Sequence, residues 1–311
     1  MHVSWKNKPR IIDELAMPTK APIAIIPIIS LLLSVTMWGI LWYPLRVLES
    51  YGVPGLWTTL LFYGAAFLVG LCVVFWLRQG VRGSLPDLLI MACASGWTNV
   101  AFILAIIEGN VVRIMLLFYL SPLWTVILGR LVLGEVLSRS AQFTMFLAMV
   151  GAVIMLWNDQ AGMPWPQDRA DWLAITSGFS FALSNVLVRK IQDETLWVKT
   201  VFAWAGVVLL AVAWLVIGEY SWPTASSMVL TTAFVFGGLS MMVMTLLVLY
   251  GLTHMPAHQA AIILLFELVV AAVSAQILTD ETVLRNEWLG GAIILLAGCL
   301  AAYRQVNDKA G

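Results

Sequence analysis

Charged residues are scarce in this chain. They make up 11% of its 311 residues, and hydrophobic residues make up 61%. Soluble domains usually carry about 25% charged residues. Lysine plus arginine equals aspartate plus glutamate at 17 each, so no basic field is available to attract nucleic acid. This composition excludes an ordinary soluble domain and favours an all-α polytopic membrane protein with the lipid bilayer as its surroundings.

Cysteines and reactive motifs are also scarce. Cys72, Cys93 and Cys299 lie inside apolar runs without the spacing of a metal site or a disulfide framework, so we expect them to be core thiols. The chain has no P-loop, no HExxH or GxSxG motif and no paired intramembrane aspartates. We therefore expect no enzyme, no cofactor and no bound metal. The energy source that remains for work across a membrane is a gradient.

Long apolar runs alternate with short connections that carry glycine, proline or charge. About 20 apolar residues at ~1.5 Å per residue span a bilayer as a helix. The runs predict ten transmembrane helices, at residues 22–45, 55–77, 85–107, 110–133, 140–157, 171–188, 197–217, 227–250, 257–278 and 287–303. The first run is too long for a signal-peptide core, so we expect it to remain as a span.

The longest connection divides the chain into two nearly equal parts. We expect an N-terminal tail at 1–21, a first five-helix repeat at 22–157, an outer linker at 158–170, a second five-helix repeat at 171–303 and a C-terminal tail at 304–311. Five is an odd number of spans, so the second repeat must enter the membrane from the opposite side. Inverted repeats that hold a site near the midplane are a common construction of transporters.

The positive residues predict an orientation. With the N-terminus in the cytoplasm, the inner side holds Lys6, Lys8, Arg10, Lys20, Arg78, Arg82, Arg130, Arg139, Arg189, Lys190, Lys199, Arg304 and Lys309. The outer side then holds only Arg46, Arg113, Arg169 and Arg285. This bias predicts that both termini are cytoplasmic, in the cytoplasmic (inner) membrane of a bacterium.

The two halves correspond weakly in sequence. A shift of 146 residues places Glu267 on Ser121, and a shift of 143 places Phe181 on Trp38. The first half contains the phrase SPLWTVILGRLVLGE at 121–135, in which a mid-helix proline precedes small and apolar residues and a terminal Gly-Glu. The second half departs from this phrase, since Leu268 stands where a proline would follow Glu267.

From about residue 22 to 303 the chain resembles the drug/metabolite transporter superfamily, specifically its EamA-type bacterial branch. The resemblance rests on the ten spans in two five-helix repeats and on the phrase at 121–135. It implies secondary transport, often export, of amino acids, other small metabolites or drugs. It does not name the substrate.

One carboxylate lies at the centre of an apolar run. Glu267 is eleven residues from either end of the segment 256–278, which places it near the bilayer midplane, where an ionised carboxylate is costly. One reading is a proton or cation site, or a counter-charge for an amine. The other is a protonated or hydrogen-bonded glutamate that holds two helices together. Gln259 and Ser274 lie within about 80° of Glu267 around the helix and extend a polar stripe, which favours the first reading.

We expect aromatic and small polar side chains near the middle of the spans to line a central site. The candidate substrate-binding residues are Trp38, Trp97, Asn99, Tyr119, Ser121, Trp124, Ser184 and Glu267, and Glu267 is also the candidate for coupling or protonation. Helix packing is the alternative role for the tryptophans and serines. Trp97 and Asn99 stand about 200° apart on their helix, so we expect that they cannot both face one cavity, and Trp97 is favoured.

Three residues are candidate hinges. Pro122 cannot donate a backbone hydrogen bond and frees the Phe118 carbonyl one turn earlier, which predicts a kink. Gly237 and Gly238 in the eighth span would allow close packing against a moving neighbour.

Charges near the helix ends are open to several readings. Arg113 could clamp a substrate carboxylate, pair with Glu108 or extend to the membrane surface, and the last is the default. Glu135 reads as a structural loop charge. His254 and His258 are four residues apart but lack a third metal ligand, so a metal site is disfavoured and a pH-sensitive gate is the alternative.

Together these features predict a secondary active transporter that works by alternating access. The favoured function is export of amino acids or related small metabolites, with a small-molecule substrate and protons as candidate partners and no nucleic acid. The alternative is proton-coupled multidrug efflux of lipophilic cations, for which Glu267 would be the counter-charge. A non-transporting membrane scaffold or sensor is the alternative from another class.

Overall fold

The computed structural model describes residues 21–109, 111–157, 166–279 and 284–308, and the regular structure in these ranges is helical. The α-helices are α1 (Ala21–Ser50), α2 (Gly55–Trp76), α3 (Leu85–Glu108), α4 (Val111–Phe118), α5 (Ser121–Leu133), α6 (Arg139–Leu156), α7 (Arg169–Lys190), α8 (Leu196–Ile217), α9 (Ser227–Thr232), α10 (Gly238–His254), α11 (Ala257–Leu264), α12 (Phe266–Leu278) and α13 (Arg285–Asp308). Residues 1–20 of the predicted tail and residues 158–165 of the predicted linker lie outside the described ranges.

Nine helical segments in the described ranges are long and apolar enough to cross a membrane. A tenth helix, α13, has an apolar stretch at 288–303 between polar ends and packs along α6. Three of the spans consist of two pieces: α4 with α5, α11 with α12, and α9 with α10, which are joined by a π-helical segment at Ala233–Gly237. The predicted all-α polytopic membrane fold with ten helices is confirmed.

Helix packing follows an inverted two-fold relationship between the halves. α3 packs against α7, and their counterparts α10 and α1 pack against each other. α5 packs against α7, and likewise α12 against α1. α2 with α8 and α6 with α13 pair helices that correspond to one another in the two repeats. The prediction of two inverted five-helix repeats is therefore confirmed.

The fourth and ninth spans are interrupted at corresponding positions. Pro122 explains the break between α4 and α5, because it stands in the first turn of α5 and cannot donate a backbone hydrogen bond. The break between α11 and α12 has no proline. There the Leu265 amide donates to the Ile262 carbonyl at 3.2 Å, a tighter turn than that of an α-helix. The sequence predicted the first break and not the second.

Glycines set the closest helix approaches. A Cβ added at Gly206 in α8 would collide with the backbone carbonyl of Ala92 in α3, and a Cβ at Gly96 would collide with the carbonyl of Gly206. A Cβ at Gly178 in α7 would lie 2.6 Å from the carbonyl oxygen of Phe118, the group that Pro122 leaves without its helical partner. Small residues therefore let α7 pack closely against the break between α4 and α5, and they let α8 pack closely against α3.

The prediction that the cysteines are core thiols was wrong. Cys72, Cys93 and Cys299 are all exposed on the outside of the bundle. In a membrane protein the outside is as apolar as the core, because it faces lipid tails. An apolar run therefore does not distinguish a lipid-facing side chain from a buried one.

Candidate functional site

A cavity of about 330 Å³ lies between the two repeats. Helices of both repeats line it, including both pieces of each interrupted span at 111–133 and 257–278. Its aromatic lining residues are Trp38, Trp42, Phe62, Tyr63, Phe102, Phe118, Tyr119, Phe181 and Trp204. Among the lining residues that the structure describes, Glu267 is the one charged side chain. The cavity therefore combines apolar aromatic walls with a single carboxylate.

The break in the ninth span positions this carboxylate. Glu267 lies in the first turn of α12, where the free backbone amides and the helix dipole favour negative charge. Its carboxyl group is hydrogen-bonded to the phenol of Tyr119, which lies at the break in the fourth span. The two helix breaks thus meet through one hydrogen bond that joins the repeats.

A second polar group lies on α2, α3 and α7. The side chains of Tyr63 and Asn99 are hydrogen-bonded to each other. The Asn99 amide also donates to the Ser95 carbonyl at 2.9 Å, and the Ser95 hydroxyl lies 2.7 Å from the hydroxyl of Ser184. These bonds satisfy polar groups that face the cavity and connect α3 of the first repeat with α7 of the second.

Most of the residues that the sequence nominated for a substrate site lie on this cavity. The lining includes Trp38, Asn99, Tyr119, Ser121, Ser184 and Glu267, together with the predicted hinge residue Pro122. Asn99 faces the cavity and its near neighbour Trp97 does not, as their separation around the helix requires. The structure therefore places Asn99 on the cavity and Trp97 outside its lining, and the part of either residue in substrate binding stays a prediction.

The two nominated tryptophans outside the lining have packing contacts. Trp97 donates from its indole nitrogen to the Thr176 hydroxyl at 3.2 Å and meets the Trp214 ring edge-on at 5.9 Å between centroids. Trp124 packs edge-on against Phe179 at 5.5 Å. In the structure both side chains therefore stabilise contacts between helices, which is the alternative that the sequence left open.

Several lining residues were not nominated from the sequence. The main ones are Phe62, Tyr63, Phe102, Phe118, Phe181, Asn185, Trp204 and Thr245. The shift of 143 residues that aligns Phe181 with Trp38 carried a usable signal, since both side chains line the cavity. Tyr63 had no such signal, because it stands in an apolar run whose faces composition cannot separate.

The predicted hinge glycines in the eighth span lie against α2. Gly237 closes the π-helical segment, and a Cβ there would collide with the ring of Phe62. A Cβ at Gly238 would collide with that of Ala65. The π-helical turn is an irregularity of the kind that often marks functional positions, and a hinge role for these glycines stays a prediction.

One end of the bundle, where α4 and α7 begin, is held by a buried ion pair; we call it the Arg113 end. Arg113 Nε lies 2.8 and 2.9 Å from the two carboxylate oxygens of Asp171, and its Nη2 lies 2.8 Å from Oδ2. The residues are 8% and 1% exposed. The default expectation that Arg113 extends to the membrane surface was wrong. Glu108 instead pairs with Arg169 at 3.3 Å.

At the other end α5 and α7 end and α11 begins; we call it the Arg189 end. Glu135 lies 3.9 Å from Arg189 Nε through Oε1 and 3.4 Å from His258 Nδ1 through Oε2. The Ala257 amide also donates to Glu135 Oε1 at 3.5 Å. Glu135 is therefore a structural charge in the loop after α5, and its contacts join the two repeats. His254 Nδ1 lies 2.7 Å from the Tyr250 carbonyl oxygen.

A buried lysine lies at the Arg189 end as well. Lys199 is 1% exposed, and its ammonium group donates to the carbonyls of Val188 and Ile191 at 3.3 and 2.9 Å and to the Thr253 hydroxyl at 2.9 Å. The carbonyls belong to the C-terminal end of α7, where a cation is favoured by the helix dipole. Three acceptors match the three protons of the ammonium group, so Lys199 joins α7, α8 and α10, and no carboxylate of the described residues is bonded to it.

The cavity is closed at the Arg189 end. Its lining begins at Thr58, three residues into α2 at the Arg113 end, and stops at Leu249 and Ala261 towards the other end. Beyond that point the packed side chains of Leu252, Met255 and Ala260, which are at most 1% exposed, fill the interior. Access from the Arg189 end therefore requires helices to separate there.

The described residues contain no group of three His, Cys, Asp or Glu side chains that could hold a metal ion.

An inverted-repeat helical bundle around a central cavity at interrupted helices is the architecture of membrane transporters of small molecules. The model of the EamA-like transporter family matches residues 25–157 and 168–303, and the chain belongs to this family. The protein is accordingly a multi-pass membrane transporter of small molecules.

Solved structures share this fold. The crystal structure of one protein aligns with 92% of this chain over 99% of its own chain, with a TM-score of 0.70 and 16% sequence identity. That identity is low enough for the likeness to describe the fold alone. No curated protein matches the chain.

Proposed function

We propose that the protein is a secondary transporter that exports a small metabolite, an amino acid or a related compound, across the cytoplasmic membrane by alternating access. The observation that carries this proposal is the cavity between the repeats, which places the carboxyl group of Glu267 beside two interrupted helices. An amino group of the cargo would pair with Glu267, and its apolar part would contact the aromatic walls. Export is the direction that the resemblance to the superfamily implies.

A second candidate cargo is a lipophilic cation. It is favoured by the charge of the lining, where Glu267 stands without a lysine, arginine or histidine among the described lining residues. An amino acid carries a carboxylate that needs donors, and the lining offers Asn99, Asn185 and several hydroxyl groups for it. A lipophilic cation makes no such demand and would use the carboxylate and the aromatic faces alone.

Counterflow in proteoliposomes separates these cargoes. Vesicles with purified protein would be preloaded with one member of a panel of amino acids, purines, amines or quaternary cations, and entry of the same labelled compound would be followed. Exchange of amino acids or related metabolites would support the first cargo, and exchange of quaternary cations alone would support the second. An absence of exchange across the panel, for protein shown to be folded, would favour the non-transporting scaffold or sensor. A pH gradient applied to the same vesicles would test coupling to protons.

A further inference from the structure

The interrupted fourth span is attached to α7 by an ion pair at each end. Arg113 of α4 pairs with Asp171 at the Arg113 end, and Glu135, just after α5, meets Arg189 at the Arg189 end. The break at Pro122 lies between the two attachments. The two pairs differ in ways that decide which of them can open during a transport cycle.

The attachment at the Arg113 end is the strong one. Arg113 is held by both carboxylate oxygens of Asp171, and the backbone amide of Gln167 donates to Asp171 Oδ2 at 2.8 Å. The pair is shielded from water, so separating it would leave a charge uncompensated inside the protein. This pair therefore keeps α4 fixed on α7.

The attachment at the Arg189 end is weaker. The Glu135–Arg189 distance is 3.9 Å, and the two side chains are 20% and 32% exposed, so water can replace the contact at low cost. The contacts from Glu135 to His258 and to the Ala257 amide are also long, at 3.4 and 3.5 Å. The polar contacts that hold this end of α5 are therefore ones that solvent can substitute.

We propose that α5 is a gate for the cavity, with Glu135 as its latch, the Arg113–Asp171 pair as its anchor and the break at Pro122 as its hinge. This inference rests on the proposed function. Release of Glu135 lets α5 tilt away from α7 and α11 while α4 stays in place. The break already lacks continuous helical hydrogen bonding, so the tilt disrupts few bonds.

The packing behind α5 indicates what the tilt would expose. Leu128 of α5, Ala182 and Val186 of α7 and Ala257 of α11 form one buried cluster. The cavity lies next to this cluster, since Thr125 and Ala261, each about one turn away, line its wall. Tilting α5 outwards would open this cluster and connect the cavity with the Arg189 end.

A second ion pair at the same end provides a matched control. Lys190 of α7 pairs with Asp87 of α3 at 2.9 Å, and its side chains are 42% and 19% exposed. It also joins the two repeats and is at least as close as the latch, but it does not involve α5. Asp87→Asn therefore removes an inter-repeat ion pair of the same kind and leaves the gate attached.

The test is the rate at which a buried thiol becomes accessible. With Cys72, Cys93 and Cys299 replaced by alanine, Leu128→Cys would place the one thiol on the inner face of α5. Its alkylation by a membrane-impermeant maleimide would be compared in the Glu135→Gln, Asp87→Asn and otherwise unchanged proteins, with thermal unfolding to confirm folding. We expect Glu135→Gln to speed alkylation about fivefold, the effect of losing one exposed ion pair, and Asp87→Asn to leave the rate unchanged.

Equal rates in all three proteins, or equal acceleration by both substitutions, would overturn the gate. Ala182→Cys, on the opposing face of α7, repeats the measurement should Leu128→Cys fail to fold. Because alkylation needs no cargo, its result is independent of the proposed function. Faster alkylation without exchange of any cargo would support the gate and reject the proposed transport. Exchange of a cargo without faster alkylation would support the transport and reject the gate.

Discussion

Tyr119 and Glu267 belong to different repeats and are hydrogen-bonded to each other across the cavity. Each stands at the interruption of its span, and these interruptions correspond under the shift that relates the repeats. The one charged side chain of the described lining is therefore held by the opposite half of the protein. Movement of one repeat against the other would change the surroundings of this carboxyl group, which under the proposed function would link cargo binding to the state of the transporter.

Removal of the Tyr119 hydroxyl tests this link. Tyr119→Phe should lower stability by about 1 kcal/mol, the usual contribution of one hydrogen bond, and should change the apparent KM for the cargo. Tyr63→Phe is the matched control, because it removes a cavity phenol that bonds to Asn99 instead of the carboxyl group. We expect a similar loss of stability and a smaller change in KM. Thermal unfolding and counterflow measure the two quantities, and identical KM changes would contradict the role given to the Tyr119–Glu267 bond.

Substitution of two tryptophans tests whether a side chain lines the cavity or only packs between helices. Trp38 lines the cavity, whereas Trp97 packs on Trp214 and Thr176. Trp38→Ala should raise the KM of the cargo by about tenfold, the loss expected for an aromatic contact. Trp97→Ala should destabilise the fold and leave KM close to that of the unchanged protein. Counterflow kinetics on both variants check this, and a larger KM effect at Trp97 would place the binding site elsewhere.

The sequence predicted the spans well because their signal is local. Helix length and apolar content in one stretch are sufficient, and the parity of five spans implies the inversion. The face that a side chain presents is not local. Cys72 and Tyr63 stand in the same apolar run, yet one faces outwards and the other lines the cavity.

Long-range contacts could not be predicted from the sequence for the same reason. Asp171 is 58 residues from Arg113 and stands near the start of a helix, where an acidic residue is common without an ion pair. The break at Leu265 has no proline to indicate it. Only the weak correspondence between the repeats could have suggested it, because the first repeat has its break at the matching position.

The buried ion pair should dominate stability at the Arg113 end. Asp171→Asn removes the carboxylate that binds the buried guanidinium of Arg113 through two of its nitrogen atoms, and we expect a loss of about 3–5 kcal/mol. Glu108→Gln removes the pair with the exposed Arg169 and should cost at most about 1 kcal/mol. Thermal or denaturant unfolding of the purified variants provides the comparison. Similar losses for both would show that the Asp171 pair is not the anchor.

The close contact between α3 and α8 should not tolerate a side chain at position 206. Gly206→Ala forces the two helices apart, because its Cβ meets the backbone of Ala92, and overpacking of this kind costs about 1–3 kcal/mol. Gly64→Ala is the control: a Cβ there meets no atom of the described residues within 4 Å, and alanine favours the helix by up to about 1 kcal/mol. Melting temperatures should therefore shift in opposite directions. A stable Gly206→Ala variant would argue against the close approach of these helices.

The most direct measurement is counterflow of the identified cargo by the unchanged protein and by Glu267→Gln, with Glu49→Gln as the control. Glu49 is an exposed residue near the end of α1, outside the cavity lining. We predict that Glu267→Gln folds normally and loses most of its exchange, whereas Glu49→Gln exchanges like the unchanged protein. Exchange at the full rate by Glu267→Gln would contradict the central claim that this carboxyl group binds the cargo in the cavity between the repeats.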